Sequence, residues 1–151
     1  MSAFRLKVAL AASVLLLTIS ATLEAQMVVG TWVRTPTKTA PGMMTMMVEP
    51  CCGSGYKLTY RFAMGSNKTV MTVESPFDGT EVPVLVNGKP SGETMAIKRV
   101  DSHHSTTVIK MNGEPFGNSS ATLSADDKTL TVINEMASGA AGKVTETWTK
   151  Q

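Results

Sequence analysis

The sequence predicts an all-β protein, in which a signal peptide helix precedes a single antiparallel up-and-down β-barrel of eight to ten strands. Three observations lead to this prediction. The chain begins with a short basic and apolar segment that is typical of export signals. After it, apolar and polar residues alternate, as they do in strands that bury one face. Turn signals separate these alternating runs about every ten residues, a spacing that is typical of sandwiches and barrels.

Residues 1–25 have the features of a secretory leader. Two basic residues, Arg5 and Lys7, precede an apolar run of about a dozen residues, and small residues end the segment at Ala25. The run is too short to cross about 30 Å of hydrocarbon as a helix. We therefore expect one mature domain, residues 26–151, that is periplasmic or secreted and has no integral membrane segment once the leader is cleaved.

The alternating pattern predicts up to ten strands. It is clearest where Tyr56, Tyr60 and Phe62 share one face and polar residues occupy the other. Near the end of the chain, Val144 and Trp148 also share a face. The predicted strands are 28–34, 43–49, 56–63, 68–74, 81–86, 93–100, 104–111, 117–123, 129–135 and 143–149.

Turn residues connect the predicted strands. Asn87-Gly88 and Asn112-Gly113 tolerate the positive φ angles of tight hairpins. The stretch 35–42 contains two prolines and is expected to be a loop with room for one short helical turn. Because exposed sheet edges aggregate, a meander of this many strands favours closure into a barrel, with a two-sheet sandwich as the alternative.

The charge of the mature domain excludes some functions. Without the leader, twelve basic and eleven acidic residues remain. This balance gives no electrostatic attraction for nucleic acid or for an anionic membrane. The sequence also has no phosphate-binding Gly-rich loop, no nucleophile elbow and no metalloprotease helix. We therefore expect neither a cofactor nor an enzyme activity.

One motif resembles a known family. Gly30-Thr31-Trp32, at the start of the first strand, resembles the Gly-x-Trp opening of lipocalins and related calycin barrels. The resemblance implies a barrel in which Trp32 plugs the closed end and whose interior holds a ligand. Three further segments are similar to a group of exported bacterial proteins with lipocalin-like barrels: 77–84, 95–101 and 124–132.

The inward face of the barrel supplies the candidate binding residues. If the first and last strands pair, Gly30, Trp32 and Trp148 belong to the barrel closure, where packing is their expected role. Tyr56, Tyr60 and Phe62 would line a cavity with aromatic walls and hydroxyl tips. An eight-stranded barrel is just wide enough either to be filled by side chains or to hold one small ligand. The sequence leaves both outcomes open.

The two cysteines of the chain, Cys51 and Cys52, are adjacent. Typical lipocalins instead place separated cysteines for disulfides. Three alternatives remain for this pair: a reactive pair of thiols, a disulfide within the turn, or a bridge to a second chain that would make a homodimer.

A metal site is a further hypothesis. Thioethers suit copper, imidazoles suit copper or zinc, and the weak candidates are Met43, Met47, His103 and His104. The other two methionines of this run would face the opposite way in a strand, so all four cannot share one ion.

The expected function is binding of a small apolar molecule in the lumen of an exported barrel. The alternatives are a structural or interaction protein with a filled barrel, possibly dimerising through Cys51 and Cys52, and then a copper or zinc carrier that uses the Met-rich strand.

Overall fold

Ten antiparallel strands close into one barrel in the computed structural model, which describes residues 28–38, 40–64, 66–139 and 142–151. This confirms the predicted all-β barrel, and the two-sheet alternative was wrong. The predicted leader and its cleavage site lie outside the described residues. The strands are β1 (Gly30–Arg34), β2 (Met43–Cys51), β3 (Gly55–Met64), β4 (Asn67–Ser75), β5 (Asp78–Val86), β6 (Lys89–Arg99), β7 (His104–Met111), β8 (Glu114–Leu123), β9 (Thr129–Met136) and β10 (Lys143–Lys150).

The barrel closes where β1 pairs with β10. Trp32 lies opposite Lys150 and Arg34 lies opposite Trp148 in this antiparallel ladder. On its other edge β1 pairs with β2, and each later strand pairs with the strand that follows it. The expected meeting of the first and last strands is therefore confirmed.

Tight hairpins connect several strands, as the Asn-Gly pairs predict. Asn87 and Gly88 have φ angles of 50° and 77°, and Asn112 and Gly113 have 52° and 85°. Asparagine tolerates this left-handed region and glycine adopts it without steric penalty, so these pairs suit two-residue turns.

The loop between β1 and β2 differs from expectation. Its described residues form no helical turn. Instead, the guanidinium of Arg34 donates hydrogen bonds to the carbonyls of Ala40, at 3.2 Å, and Gly42, at 3.0 Å. Within the loop, the backbone N–H and carbonyl groups of Thr37 and Ala40 exchange two hydrogen bonds, both of 3.2 Å, so these groups are paired without a helix.

The inward faces of the strands form the core. Trp32 is fully buried, and its indole N–H donates to the carbonyl of Val28 at 2.9 Å. Trp148 is 2% exposed on the neighbouring strand.

We call one end of the barrel the N-terminal end. It carries Val28 and the turns after β2, β4, β6 and β8. No helix among the described residues is long and apolar enough to cross a membrane.

Candidate functional site

The barrel encloses a cavity of about 250 Å³. This is a little below the range of roughly 300–1,000 Å³ that is usual for pockets of drug-sized ligands. Much of its wall is flexible and apolar, because it includes Met44, Met46, Met71 and Met95. Unbranched thioether side chains adapt to irregular shapes, so such a wall can fit more than one ligand. The interior is therefore hollow rather than completely filled.

The three aromatic residues singled out in the sequence have different positions. Tyr60 and Phe62 line the cavity. Tyr56 also faces inward, but it is 3% exposed and packs edge-to-face on Phe77, with ring centroids 5.1 Å apart. It supports the site from the core rather than forming its wall.

Tyr60 presents a neutral hydroxyl to the cavity. Its ring packs edge-to-face on Trp148, with centroids 6.1 Å apart. The side chain keeps some accessible surface because it borders the lumen, yet the barrel wall shields it from bulk solvent. This burial raises the pKa of Tyr60, and the negative charges of Glu146 and Glu93 raise it further. The hydroxyl therefore remains protonated and available as a donor.

Arg99, which no sequence pattern singled out, also lines the cavity. Its guanidinium carbon lies 5.5 Å from the ring centroid of Tyr56 and 6.0 Å from that of Phe77, distances that suit cation–π interactions. Among the described residues, no carboxylate forms an ion pair with it. Its position could have been found from Ile97, because residues two apart in a strand share a face.

A second charged group in the interior is the ion pair between Arg34 and Glu146. Arg34 Nη1 lies 3.0 Å from Glu146 Oε1, and the Arg34 side chain is nearly buried. Glu146 borders the cavity. The inward direction of both side chains could have been predicted from the sequence. Arg34 is two residues from Trp32, Glu146 is two residues from Trp148, and residues two apart in a strand share a face.

The loop between β6 and β7 forms part of the rim at the N-terminal end. Asp101 Oδ1 accepts hydrogen bonds from the backbone N–H groups of His103 and His104, both at 2.8 Å. The hydrogen bond from the backbone N–H of His103 contributes most to lowering the pKa of Asp101. The ring and the backbone N–H of His104 lower it further. His104 Nδ1 lies 2.8 Å from Asp101, and His103 Nε2 lies 3.6 Å from Asp127 Oδ1. Each histidine thus has a carboxylate beside it.

The structure does not bring the four metal candidates together. Met43 is 65% exposed and begins β2 at the end of the barrel opposite the N-terminal end. Met47 shares its outward face, because Met44 and Met46 point into the cavity. His103 and His104 lie at the N-terminal end. A site that uses the Met-rich strand together with these histidines is therefore not formed.

Cys51 and Cys52 are joined by a disulfide within the turn between β2 and β3. Both sulfurs are used in this bond, so neither can bridge to a second chain in this state. Cys52 Sγ lies 3.9 Å from Glu74 Oε2 on the neighbouring β4.

Comparison with known proteins shows the fold. No protein-family description and no curated protein matches the chain. Crystal structures of two point mutants of the fluorescent protein UnaG are similar to it. The first is 12% identical with a TM-score of 0.58, covering 83% of this chain and 97% of the UnaG chain. The second is 13% identical with a TM-score of 0.55, covering 83% and 96%. These structures identify the fold as a calycin-type β-barrel.

Proposed function

We propose that this protein is an exported binding protein whose barrel holds a small, largely apolar molecule that carries one anionic group. One observation carries the proposal. The cavity has a mainly apolar wall, and it contains a cation, Arg99, that forms no ion pair with a carboxylate of the described residues.

The apolar wall would supply most of the affinity. Burial of apolar ligand surface is worth roughly 25 cal/mol per Å² before the entropic cost of binding. The Met-rich part of the wall favours a ligand with a flexible or irregular apolar body.

The polar groups would fix the orientation of the ligand. A guanidinium held against two aromatic rings can form two parallel hydrogen bonds to a carboxylate. Tyr60 lines the same cavity, and its protonated hydroxyl could donate a further hydrogen bond to the ligand.

The proposed location rests on the leader. The basic and apolar character of residues 1–25 supports export to the periplasm or the medium. N-terminal sequencing of the protein from its native host checks this point. A mature chain that begins near Gln26 is expected, and an intact leader on the soluble protein would contradict export.

The first prediction concerns Arg99. Because Trp148 borders the cavity, its fluorescence is a suitable signal in titrations with medium-chain fatty acids, the corresponding alcohols and aromatic carboxylates. We expect the acids to bind about tenfold more tightly than the alcohols, a difference of about 1.4 kcal/mol. Arg99→Gln should remove this preference while leaving the alcohols bound.

Two controls complete the experiment. Arg61→Gln removes an arginine from the exposed outer face of β3 and should leave the preference intact. Ala121→Phe places a large ring on the cavity wall and should abolish binding, with circular dichroism to verify the fold. The proposal fails if no compound binds, or if the Arg99 and Arg61 variants behave alike.

A further inference from the structure

Outside the cavity, three potential metal ligands meet at the turn between β2 and β3. Cys51 ends β2, Cys52 follows it, and Glu74 lies one residue before the end of β4. Their two sulfurs and one carboxylate oxygen all lie within 4.8 Å of one another. Within the described part of the chain, no other three side chains from histidine, cysteine, aspartate and glutamate meet in this way.

Close packing of the backbone brings Glu74 to the cysteines. Gly55 lies opposite Cys51 in the hairpin, and a side chain at Gly55 would collide with the carbonyl oxygen of Ser75. Because only a glycine allows this approach, the end of β4 lies against the turn. The carboxylate of the preceding residue, Glu74, therefore reaches Cys52.

The two oxygens of Glu74 have different neighbours. Oε1 lies 3.4 Å from the ammonium of Lys57, which is opposite Glu74 in the ladder between β3 and β4. Oε2 lies 3.9 Å from the sulfur of Cys52. Lys57 thus orients the carboxylate so that the second oxygen faces the sulfurs, an arrangement typical of the groups that support metal ligands.

We propose that reduction of the Cys51–Cys52 disulfide creates a site for one thiophilic divalent cation, such as Zn²⁺ or Cd²⁺. Cys51, Cys52 and Glu74 are its ligands. Two thiolates and one carboxylate form a ligand set that zinc accepts, with the fourth position taken by water. Cys52 and Glu74 are exposed, so both a reductant and the cation can reach them.

Reduction of the Cys51–Cys52 disulfide balances in atoms and electrons when a dithiol is the reductant. The dithiol gives two electrons and two protons to the disulfide, which becomes two thiols, and the dithiol itself becomes a disulfide. Each cysteine then loses its proton to solvent as its bond to the cation forms. The resulting complex carries one negative charge, and Lys57 offsets it. An oxidising compartment would hold the site in its closed, disulfide form.

The test uses Cd²⁺ alone, because cadmium thiolates absorb in the ultraviolet. The full-length protein is titrated before and after treatment with a phosphine, a reductant that leaves no thiol to compete for the metal. We expect one cation per reduced chain and binding at least a hundredfold weaker to the disulfide form. Cys51→Ser/Cys52→Ser should abolish the absorption band.

Glu74→Gln tests the carboxylate and should weaken binding by about tenfold or more, the scale seen when a group at a metal site is lost. The matched control is Glu135→Gln on β9, an exposed carboxylate that lies 3.5 Å from Lys143 in a similar ion pair. It should leave the affinity unchanged. The proposal is overturned by equal binding to both redox forms, by equal binding to the two glutamate variants, or by one cation shared between two chains.

Discussion

At the scale of single residues, a few charged groups lie among the mainly apolar side chains of the barrel interior. Arg34 and Glu146 form an ion pair on neighbouring strands, and the same arginine holds two carbonyls of the loop after β1. Removing water from two charges is costly, and a buried pair recovers that cost only while both partners are present.

We therefore predict that Arg34→Met alone lowers the free energy of unfolding by about 3–5 kcal/mol. It leaves the carboxylate of Glu146 without its partner. The double variant Arg34→Met/Glu146→Leu should recover a large part of this loss, because it buries no charge. Urea unfolding of the wild type, both single variants and the double variant measures the coupling. Losses that simply add would show that the two side chains act independently.

Glu93 leads to a prediction about pH. It is half-buried on β6, and this burial raises the pKa of its carboxyl above the ordinary value of about 4.3. The folded state therefore holds this proton more tightly than the unfolded state does. The resulting stabilisation is complete below the ordinary pKa and is lost as the pH rises through the raised one.

Glu93→Gln cannot ionise, so its stability relative to the wild type should increase as the pH rises from about 4 through the raised pKa. Urea midpoints at several pH values measure the difference. Glu114→Gln removes an exposed carboxylate and corrects for the change in net charge. A constant difference between the Glu93 variant and the wild type across this range would contradict the prediction.

At the scale of the elements, close approaches between strands decide which residues are allowed. Gly55 is the clearest example, because a methyl group there would meet the backbone of Ser75 and Pro76. We predict that Gly55→Ala destabilises the fold by about 1–3 kcal/mol, the usual cost of overpacking. Ser54→Ala changes an exposed residue of the same turn and should have little effect. Equal unfolding midpoints for the two variants would show that the strand can move away without cost.

The elements also show what the sequence can and cannot predict. Period-two alternation predicts β3 well, because Tyr60 and Phe62 face inward and Arg61 between them is exposed. It predicts that β5 begins at residue 81 rather than at Asp78, because Asp78-Gly79 is a pair that is also typical of turns. Gly79, with φ of 93°, instead lies within β5, beside an irregularity in the ladder to β6. A bulge and a turn use the same residue types, so local composition does not separate them.

The residues of the cavity were predictable from the sequence only in part. A search for alternating apolar residues predicts the apolar wall of a cavity, and it identified Tyr60 and Phe62. It omits Arg99, because a charge on the inward face interrupts the pattern that is being sought. Whether the interior is hollow depends on how side chains from ten strands fill the space together, and no single segment contains that information.

At the scale of the whole molecule, the ladders around the barrel differ in length. The seam between β1 and β10 pairs only Trp32, Val33 and Arg34 on the β1 side. The ladder between β2 and β3 extends from Met43 to Cys51. Since short ladders open at a lower free energy, we predict that amides of β1 exchange with deuterium faster than those in the middle of β3. Mass spectrometry of peptides after timed exchange measures this, and uniform protection would contradict it.

Closure of the barrel has a consequence for how the protein could fail. Each described strand lies between two others, so the closed sheet offers another molecule no edge strand with a whole row of unpaired backbone groups, although β4 and β5 pair only over Met71–Val73 and Val84–Val86. Opening a single seam creates two such rows at once, while most of the sheet remains folded. The first step towards self-association is then the opening of one ladder between two strands. Resistance to precipitation would therefore depend on the stability of that ladder rather than on the melting temperature of the whole protein.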